Sequence, residues 1–191
     1  MRVVGGQFRG RPLLAPDTAV TRPTSDRVRE AAFNILAHSI EGFEFDGIRV
    51  LDLFAGSGAL GIEALSRGAA FAMFVEEDSS ARAAIRQNVE ALQLTGVTKI
   101  FRRDATRLGE AGKQDGFRLV FIDPPYGRGL AAAALEAAVT GGWLTPGAVI
   151  VIEERAGLPV PLPASCQFLN SRIWGETQVV FATYDLSSRD T

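Results

Sequence analysis

The chain is poor in the residues that form disulfides, metal sites and histidine-based catalytic groups. It has one cysteine, Cys166, and one histidine, His38, among 191 residues. A single cysteine excludes an internal disulfide and a cysteine-rich metal site. A single histidine excludes most histidine-based metal sites and disfavours a catalytic triad. We therefore expect no bound metal and a chemistry that does not depend on an imidazole base.

The chain also lacks a strong charge of either sign and long apolar runs. Its net charge is −2, so it is not a polybasic nucleic-acid binder, and any RNA contact must come from a local patch of arginines. No run approaches the roughly 20 apolar residues of a membrane span, and no stretch near the first residues resembles a signal peptide. We expect a soluble, cytoplasmic protein whose 47% hydrophobic residues build one α/β domain.

Apolar strands alternate with helices through most of the chain. Strands are predicted at 48–53, 70–75, 97–101, 119–122 and 148–152, with a terminal hairpin at 167–173 and 177–184. This alternation is typical of an α/β fold with a mostly parallel sheet. We predict a main domain at 38–185, preceded by an extension at 1–37 and followed by a frayed tail at 186–191.

The extension is predicted to contain a β-hairpin at 1–20 and a helix at 27–36 with Thr24 or Ser25 as its N-cap. The apolar stripe of that helix comprises Val28, Ala31, Ala32, Ile35 and Leu36. Its arginines are expected on the opposite side. The candidate RNA contacts are the arginines of the whole extension: Arg9, Arg11, Arg22, Arg27 and Arg29. A solvated edge ribbon and a plain packing helix are equally open interpretations.

A glycine-rich loop follows the first strand of the main domain. Gly56, Gly58 and Gly61 match G-x-G-x-x-G, which alone is a weak signal for a dinucleotide site. The loop leads into a helix N-terminus with free N–H groups. Asp52, at the end of the strand, would repel a diphosphate but would suit an ammonium group. S-adenosylmethionine fits better, because it carries an amino group, a sulfonium and a single carboxylate.

Acidic residues follow the second and third strands. Glu76 is the first acid after the second strand, about 20 residues beyond the glycines, where a carboxylate can bind ribose hydroxyls. The alternative is that Glu76-Glu77-Asp78 caps the next helix, with Asp78 as the N-cap. Asp104 could accept a hydrogen bond from an adenine amino group, and a helix-capping role is nearly as plausible.

Asp123-Pro124-Pro125-Tyr126 directly follows the apolar strand 119–122. The two prolines have no N–H and end the strand, which leaves a stiff extended segment at the carboxyl end of the sheet. This segment offers a carboxylate, a proline carbonyl and an aromatic ring. Two acceptors and a flat face suit a planar group that bears an NH2, such as the exocyclic amine of a nucleobase.

Two motifs in this order resemble class I S-adenosylmethionine-dependent methyltransferases that act on amines: Asp52-Leu53-Phe54-Ala55-Gly56-Ser57-Gly58 and Asp123-Pro124-Pro125-Tyr126. Further segments resemble the bacterial RsmD family, which methylates a guanine N2 of 16S ribosomal RNA: Val4-Gly5-Gly6, Arg9-Gly10-Arg11, Arg22-Pro23-Thr24, Asp26-Arg27-Val28-Arg29-Glu30 and Glu63-Ala64-Leu65-Ser66-Arg67. The resemblance covers nearly the whole chain.

The resemblance implies a seven-stranded, mostly parallel sheet with an antiparallel last strand. It also implies a substrate presented in assembled or assembling small ribosomal subunits, and we expect a monomer. By resemblance, the cofactor is held by Asp52, Phe54, Ala55, Gly56, Ser57 and Gly58 at its methionyl part, Glu76 at the ribose, and Asp104 and Ala105 at the adenine. In the Asp-Pro-Pro-Tyr segment, Asp123 and Pro124 hold the amine and Tyr126 stacks on the base.

Other activities share part of this pattern. An amino methyltransferase for DNA adenine N6 or cytosine N4, or for another RNA, would have both motifs, although DNA enzymes usually carry a larger recognition region. A protein-glutamine methyltransferase would be expected to have Asn in place of Asp123. An NAD-dependent oxidoreductase would leave the Asp-Pro-Pro-Tyr segment unexplained, and a non-catalytic RNA-binding module need not keep it.

Overall fold

The computed structural model of the chain describes residues 1–16 and 26–185. Within these residues, helices and strands alternate in the predicted order, and the hairpin lies at the end. The helices are α1 (Asp26–Ser39), α2 (Ala59–Ser66), α3 (Ser79–Ala91) and α4 (Leu130–Thr140). The strands are β1 (Arg49–Leu53), β2 (Phe71–Val75), β3 (Thr98–Phe101), β4 (Phe117–Ile122), β5 (Leu144–Arg155), β6 (Cys166–Trp174) and β7 (Thr177–Tyr184).

The seven strands form one sheet in the order β3-β2-β1-β4-β5-β7-β6. Pairing is parallel from β3 through β5, whereas β7 runs antiparallel to both β5 and β6. The predicted mostly parallel sheet with an antiparallel last strand is therefore confirmed. The chain moves from β1 to β2 on one side and returns to β4 on the other. The carboxyl ends of β1 and β4 thus flank a topological switch point, where open α/β sheets bind ligands.

Each face of the sheet is buried by its own apolar cluster. Val50, Phe74 and Phe121 point to the face covered by α1, α2 and α3. Leu51 and other alternate residues point to the face covered by α4. Burial on both faces explains why the parallel strands are continuous apolar runs in the sequence. No helix in residues 1–16 and 26–185 is long and apolar enough to cross a membrane.

Several predicted element ends differ from the structure: α1 ends at Ser39 and not at Leu36, and β5 begins at Leu144 and not at Ala148. β5 was predicted to stop at Ile152, but its ladder with β7 continues to the pair Arg155–Thr177. The strand continues because β7 still pairs with it after its pairing with β4 ends at Ile122–Ile152, so Glu153 and Glu154 lie in the strand and not in a loop. The predicted N-cap of α3 is confirmed: the Asp78 carboxylate accepts the Ala81 N–H at 2.8 Å.

The described part of the N-terminal segment folds back on itself like a hairpin but contains no strand in residues 1–16. One antiparallel bridge joins Arg2 to Pro12, and the Val3 N–H donates to the Arg11 carbonyl at 3.0 Å. Extended pairing cannot continue because Pro12 has no N–H and Gly6 and Gly10 turn the chain at positive φ. Arg22 and the predicted caps Thr24 and Ser25 lie outside the described residues.

Helix α1 buries Val28, Ala32 and Leu36 as predicted, and it also buries Arg29. Ala31 and Ile35 are only partly buried. The prediction that Arg29 is an exposed RNA contact is wrong, because this side chain is 1% exposed. Its guanidinium donates to the Asp26 carboxylate at 2.9 Å and to the Arg2 carbonyl, and it lies 3.9 Å from the fully buried Glu63 carboxylate. These internal partners compensate the buried charge.

Candidate active site

A cleft of about 1070 Å³ opens at the carboxyl ends of the parallel strands. This position is the one that the strand order predicts for a ligand site. The structure brings most of the predicted site residues together there, although they come from the ends of four different strands. The predicted residues that line the cleft are Phe54, Ala55, Gly56, Ser57, Glu76, Asp104, Ala105, Asp123, Pro124, Pro125 and Tyr126.

The glycine-rich loop owes its shape to left-handed backbone and to close packing. Phe54, Gly56 and Gly58 have φ values of 60°, 56° and 78°, a region that costs a non-glycine residue energy. Gly61 lies in the first turn of α2, where a Cβ would stand 2.5 Å from the Phe74 ring. The third glycine therefore allows α2 to pack closely on β2. The G-x-G-x-x-G spacing, which alone is a weak signal in a sequence, is thus explained here by two left-handed turns and one close helix contact.

Asp52 lies beneath the loop and does not line the cleft. Its side chain is 1% exposed, and its Oδ2 accepts the Gly61 N–H at 2.9 Å. Burial raises the pKa of the Asp52 carboxyl from 3.8 to about 8, although the Gly61 hydrogen bond opposes the change. Gly58 is likewise absent from the cleft wall. Both residues therefore support the loop, and Asp52 does not present a negative charge to the cleft.

Glu76 joins the end of β2 to the glycine-rich loop. One carboxylate oxygen accepts the Gly56 N–H at 2.8 Å, and the other accepts the Asp78 N–H at 2.8 Å. The side chain is half-buried and faces the cleft, and its neighbour Glu77 also lines the wall. Glu76 is thus held in the position where a carboxylate could reach vicinal hydroxyls, while Asp78 performs the capping role that was the alternative.

Asp104 performs the capping role that was the alternative interpretation of this residue. Its Oδ1 accepts the Thr106 hydroxyl at 2.7 Å and the Thr106 N–H at 2.8 Å, so it caps the 3-10 turn that follows β3. The two hydrogen bonds hold the pKa of this carboxyl below its usual value. Asp104 also lines the cleft, together with the buried Ala105.

The Asp-Pro-Pro-Tyr segment leaves β4 beside the end of β1. The Asp123 N–H donates to the Leu53 carbonyl at 3.4 Å, Pro124 is buried and Pro125 is exposed. Tyr126 donates its hydroxyl to the Glu153 carboxylate, and this oxygen lies 3.1 Å from the Thr177 hydroxyl. Burial and the adjacent Glu153 carboxylate raise the pKa of the Tyr126 hydroxyl well above its ordinary value, so the ring remains neutral.

Several residues that support or line the cleft were not predicted from the sequence. Glu153 and Thr177 anchor the tyrosine, and the buried Glu154 carboxylate accepts the Gly127 N–H at 3.0 Å just after the motif. No local signal marked them, because β5 was expected to end before them. The wall itself contains further residues that were not predicted, among them Arg103, Arg128, Arg155, Met1, Ala15 and Pro16.

Among the predicted RNA-binding arginines that the structure describes, only the buried Arg29 forms part of the cleft wall. Arg9, Arg11 and Arg27 are exposed, as a phosphate contact requires, and none of them lines the cleft. In residues 1–16 and 26–185 no group of three or more His, Cys, Asp or Glu side chains is arranged to bind a metal ion.

Comparison with known proteins places this architecture in a family. The family model described as Conserved hypothetical protein 95 matches residues 1–183. The chain is 38% identical over 186 residues to ribosomal RNA small subunit methyltransferase D of Escherichia coli. The aligned region covers 96% of this chain and 89% of the relative. The protein of the same name from Haemophilus influenzae is 34% identical over 177 residues, 92% of this chain and 89% of the relative.

Solved structures have the same fold. The structure of the Escherichia coli protein yhhF superposes with a TM-score of 0.81 at 35% identity and covers 97% of this chain and 98% of its own. TrmN of Thermus thermophilus has a TM-score of 0.66 at 23% identity, covering 83% of this chain and 48% of its own, and this likeness concerns the fold alone.

Proposed function

Because the chain belongs to the Conserved hypothetical protein 95 family, which contains the RsmD methyltransferases, we propose that it methylates ribosomal RNA of the small subunit. The methyl donor would be S-adenosylmethionine, and the acceptor the exocyclic N2 amine of one guanine in 16S rRNA. The observation that carries this proposal is the Asp-Pro-Pro-Tyr segment in the same cleft as the glycine-rich loop and Glu76.

The chemistry of the cleft wall fits S-adenosylmethionine. The backbone of Gly56 and Ser57 would hold the methionyl part, the Glu76 carboxylate the ribose hydroxyls, and Asp104 with Ala105 the adenine. The cluster of carboxylates along the wall suits a cationic ligand better than a diphosphate. When bound, this cofactor supplies an electrophilic methyl group on its sulfonium.

The Asp-Pro-Pro-Tyr segment would prepare the amine for attack. A guanine N2 lone pair is delocalised into the ring, so the nitrogen is a poor nucleophile. If the Asp123 carboxylate and the Pro124 carbonyl accept its two N–H groups, the nitrogen is drawn toward tetrahedral geometry and its lone pair becomes available. Positioning and electrostatic stabilisation would supply most of the rate enhancement. The methylated nitrogen can lose its proton afterwards without a strong base.

The base itself would be held by the ring of Tyr126. Aromatic side chains stack on unpaired or flipped bases in many RNA complexes. The tyrosine hydroxyl is anchored by Glu153 and Thr177, so little side-chain entropy remains to be lost when a base binds. The anchor therefore supports a role for Tyr126 as a preorganised platform.

RNA outside the cleft would contact the exposed arginines of the N-terminal extension. Arg9, Arg11 and Arg27 supply positive charge on a chain whose net charge is −2. We propose that the extension faces the ribosomal subunit, that the protein acts as a monomer, and that the reaction occurs in the cytoplasm on assembled or assembling subunits.

The test is methyl transfer from labelled S-adenosylmethionine to small subunits that lack the modification, with identification of the product nucleoside. N2-methylguanosine at one site is expected. Asp123→Ala should abolish transfer and leave cofactor affinity largely intact, and turnover comparable to that of the wild type would contradict the amine-holding role. Transfer to DNA or tRNA but not to subunits would refute the proposed substrate and retain the chemistry.

A further inference from the structure

The N-terminal segment (residues 1–16) packs against the half of the cleft that contains the glycine-rich loop. Met1, Ala15 and Pro16 form part of the cleft wall. The Ser57 hydroxyl, which belongs to the loop, lies 3.3 Å from the Met1 sulfur. A segment that served RNA recognition alone would not need these contacts with the loop.

Asn88 connects the N-terminal segment to the loop from the last turn of α3. Its side chain is 3% exposed. The amide oxygen accepts the Leu14 N–H at 2.8 Å, and the amide nitrogen donates to the carbonyls of Leu14 and Ser57, each at 3.0 Å. Both N–H donors are therefore used, one toward each partner. A buried amide with this set of bonds holds Leu14 and Ser57 at a fixed separation.

The other end of the segment is attached to α2, the helix that begins at the loop. The Glu63 carboxylate accepts the Val4 N–H at 2.8 Å, and the Ser66 hydroxyl donates to the Gly5 carbonyl at 2.6 Å. A Cβ at Gly6 would stand 1.8 Å from the Ser66 carbonyl oxygen, so only glycine permits this approach. The segment is thus bound to both helices that flank the loop.

We propose that the N-terminal segment is part of the cofactor site, and that Asn88 is the positioning residue that couples it to the glycine-rich loop. The ligand in this inference is the S-adenosylmethionine of the proposed function. A ligand held by Ser57 and the adjacent backbone favours the loop conformation in which the Ser57 carbonyl also accepts a hydrogen bond from the Asn88 amide. By linkage, cofactor binding and docking of the segment then strengthen each other by the same factor.

The test uses Asn88→Asp in the full chain. Aspartate has the same shape as asparagine but has no N–H, so an ionised carboxylate would face the Leu14 and Ser57 carbonyls without a donor. Asn88→Ala removes the same bonds without a charge and serves if the aspartate variant does not fold. The control is Leu144→Ala, a buried position at the start of β5, opposite the cleft. This control substitution should lower the melting temperature without changing the conformation of the glycine-rich loop.

Two measurements are made well below the melting temperature: S-adenosylmethionine affinity by calorimetry and hydrogen exchange at the Leu14 amide. We expect Asn88→Asp to raise the Kd about fivefold or more, the lower end of typical coupling between sites. We also expect the cofactor to slow Leu14 exchange in the wild type but not in the variant. The Leu144→Ala control should keep the wild-type Kd.

An unchanged Kd in both Asn88 variants, with faster Leu14 exchange, would overturn the inference, because the segment would then be structural only. A wild-type protein that does not bind S-adenosylmethionine would instead overturn the proposed function. The two failures are therefore distinguishable in one set of experiments.

Discussion

The Asp52 carboxyl should make the folded protein less stable as the pH rises from 6 to 8. Burial raises its pKa to about 8, against 3.8 for an ordinary aspartate. The folded state therefore keeps a proton that the unfolded state releases at neutral pH. This contribution to stability is complete below pH 3.8 and is lost as the pH rises through the folded-state pKa.

The magnitude follows from the two pKa values. Between them, the free energy of unfolding falls by about 1.4 kcal/mol for each pH unit. The slope flattens near the folded-state pKa, so the loss between pH 6 and 8 should be about 2 kcal/mol. Asp52→Asn removes the titration, and its side-chain oxygen can still accept the Gly61 N–H. The difference between the wild type and this variant isolates Asp52 from all other titrating groups.

Urea unfolding at pH 6, 7 and 8, followed by circular dichroism, measures both proteins. We expect the free energy of unfolding to fall more steeply for the wild type, by about 2 kcal/mol over this range relative to Asp52→Asn. Parallel pH profiles would refute the reasoning. They would mean that the carboxylate is already ionised in the folded protein and that its buried Oδ1, which has no partner among the described residues, is solvated.

Three further outcomes are expected. Gly61→Ala should cost about 1 to 3 kcal/mol of stability in urea unfolding, because the new methyl would overlap a ring on β2, whereas Gly96→Ala, which meets open space, should be neutral. Tyr126→Phe should lower kcat for methyl transfer with cofactor affinity unchanged, and an unaltered kcat would show that the hydroxyl anchor is dispensable. Arg11→Gln should weaken RNA binding and reduce its salt dependence, whereas Arg86→Gln on the exposed side of α3 should not.

Much of the sheet and the cleft could be predicted because its signals are local. Parallel strands buried on both faces are apolar runs, and Pro124-Pro125 ends one of them at a defined position. The ligand side of the sheet follows from the direction of the strands, so the residues that come next in sequence could be assigned to one cleft without a structure. Glu76 and Asp104 were found in this way.

Contacts between distant segments could not be predicted. Arg29 was expected at the surface, since an arginine is buried only when remote partners compensate its charge, and Glu63 lies on another helix. Asn88 and Leu14 are 74 residues apart, and an asparagine in the last turn of an amphipathic helix gives no local indication that it binds a backbone segment. Such partners become visible only when the tertiary structure brings them together.

The end of β5 shows why polarity is an ambiguous signal at the ligand edge of a sheet. A change from apolar to acidic residues after Ile152 predicted the end of the strand. Pairing with β4 does end there, but the antiparallel neighbour β7 continues the ladder to Arg155. Glu153 and Glu154 are buried carboxylates whose partners are Tyr126 and Gly127 in the segment leaving β4. At this edge, acidic residues that directly follow a buried run therefore indicate side chains that hold the adjacent functional segment, and a strand should be extended through them before a loop is assigned.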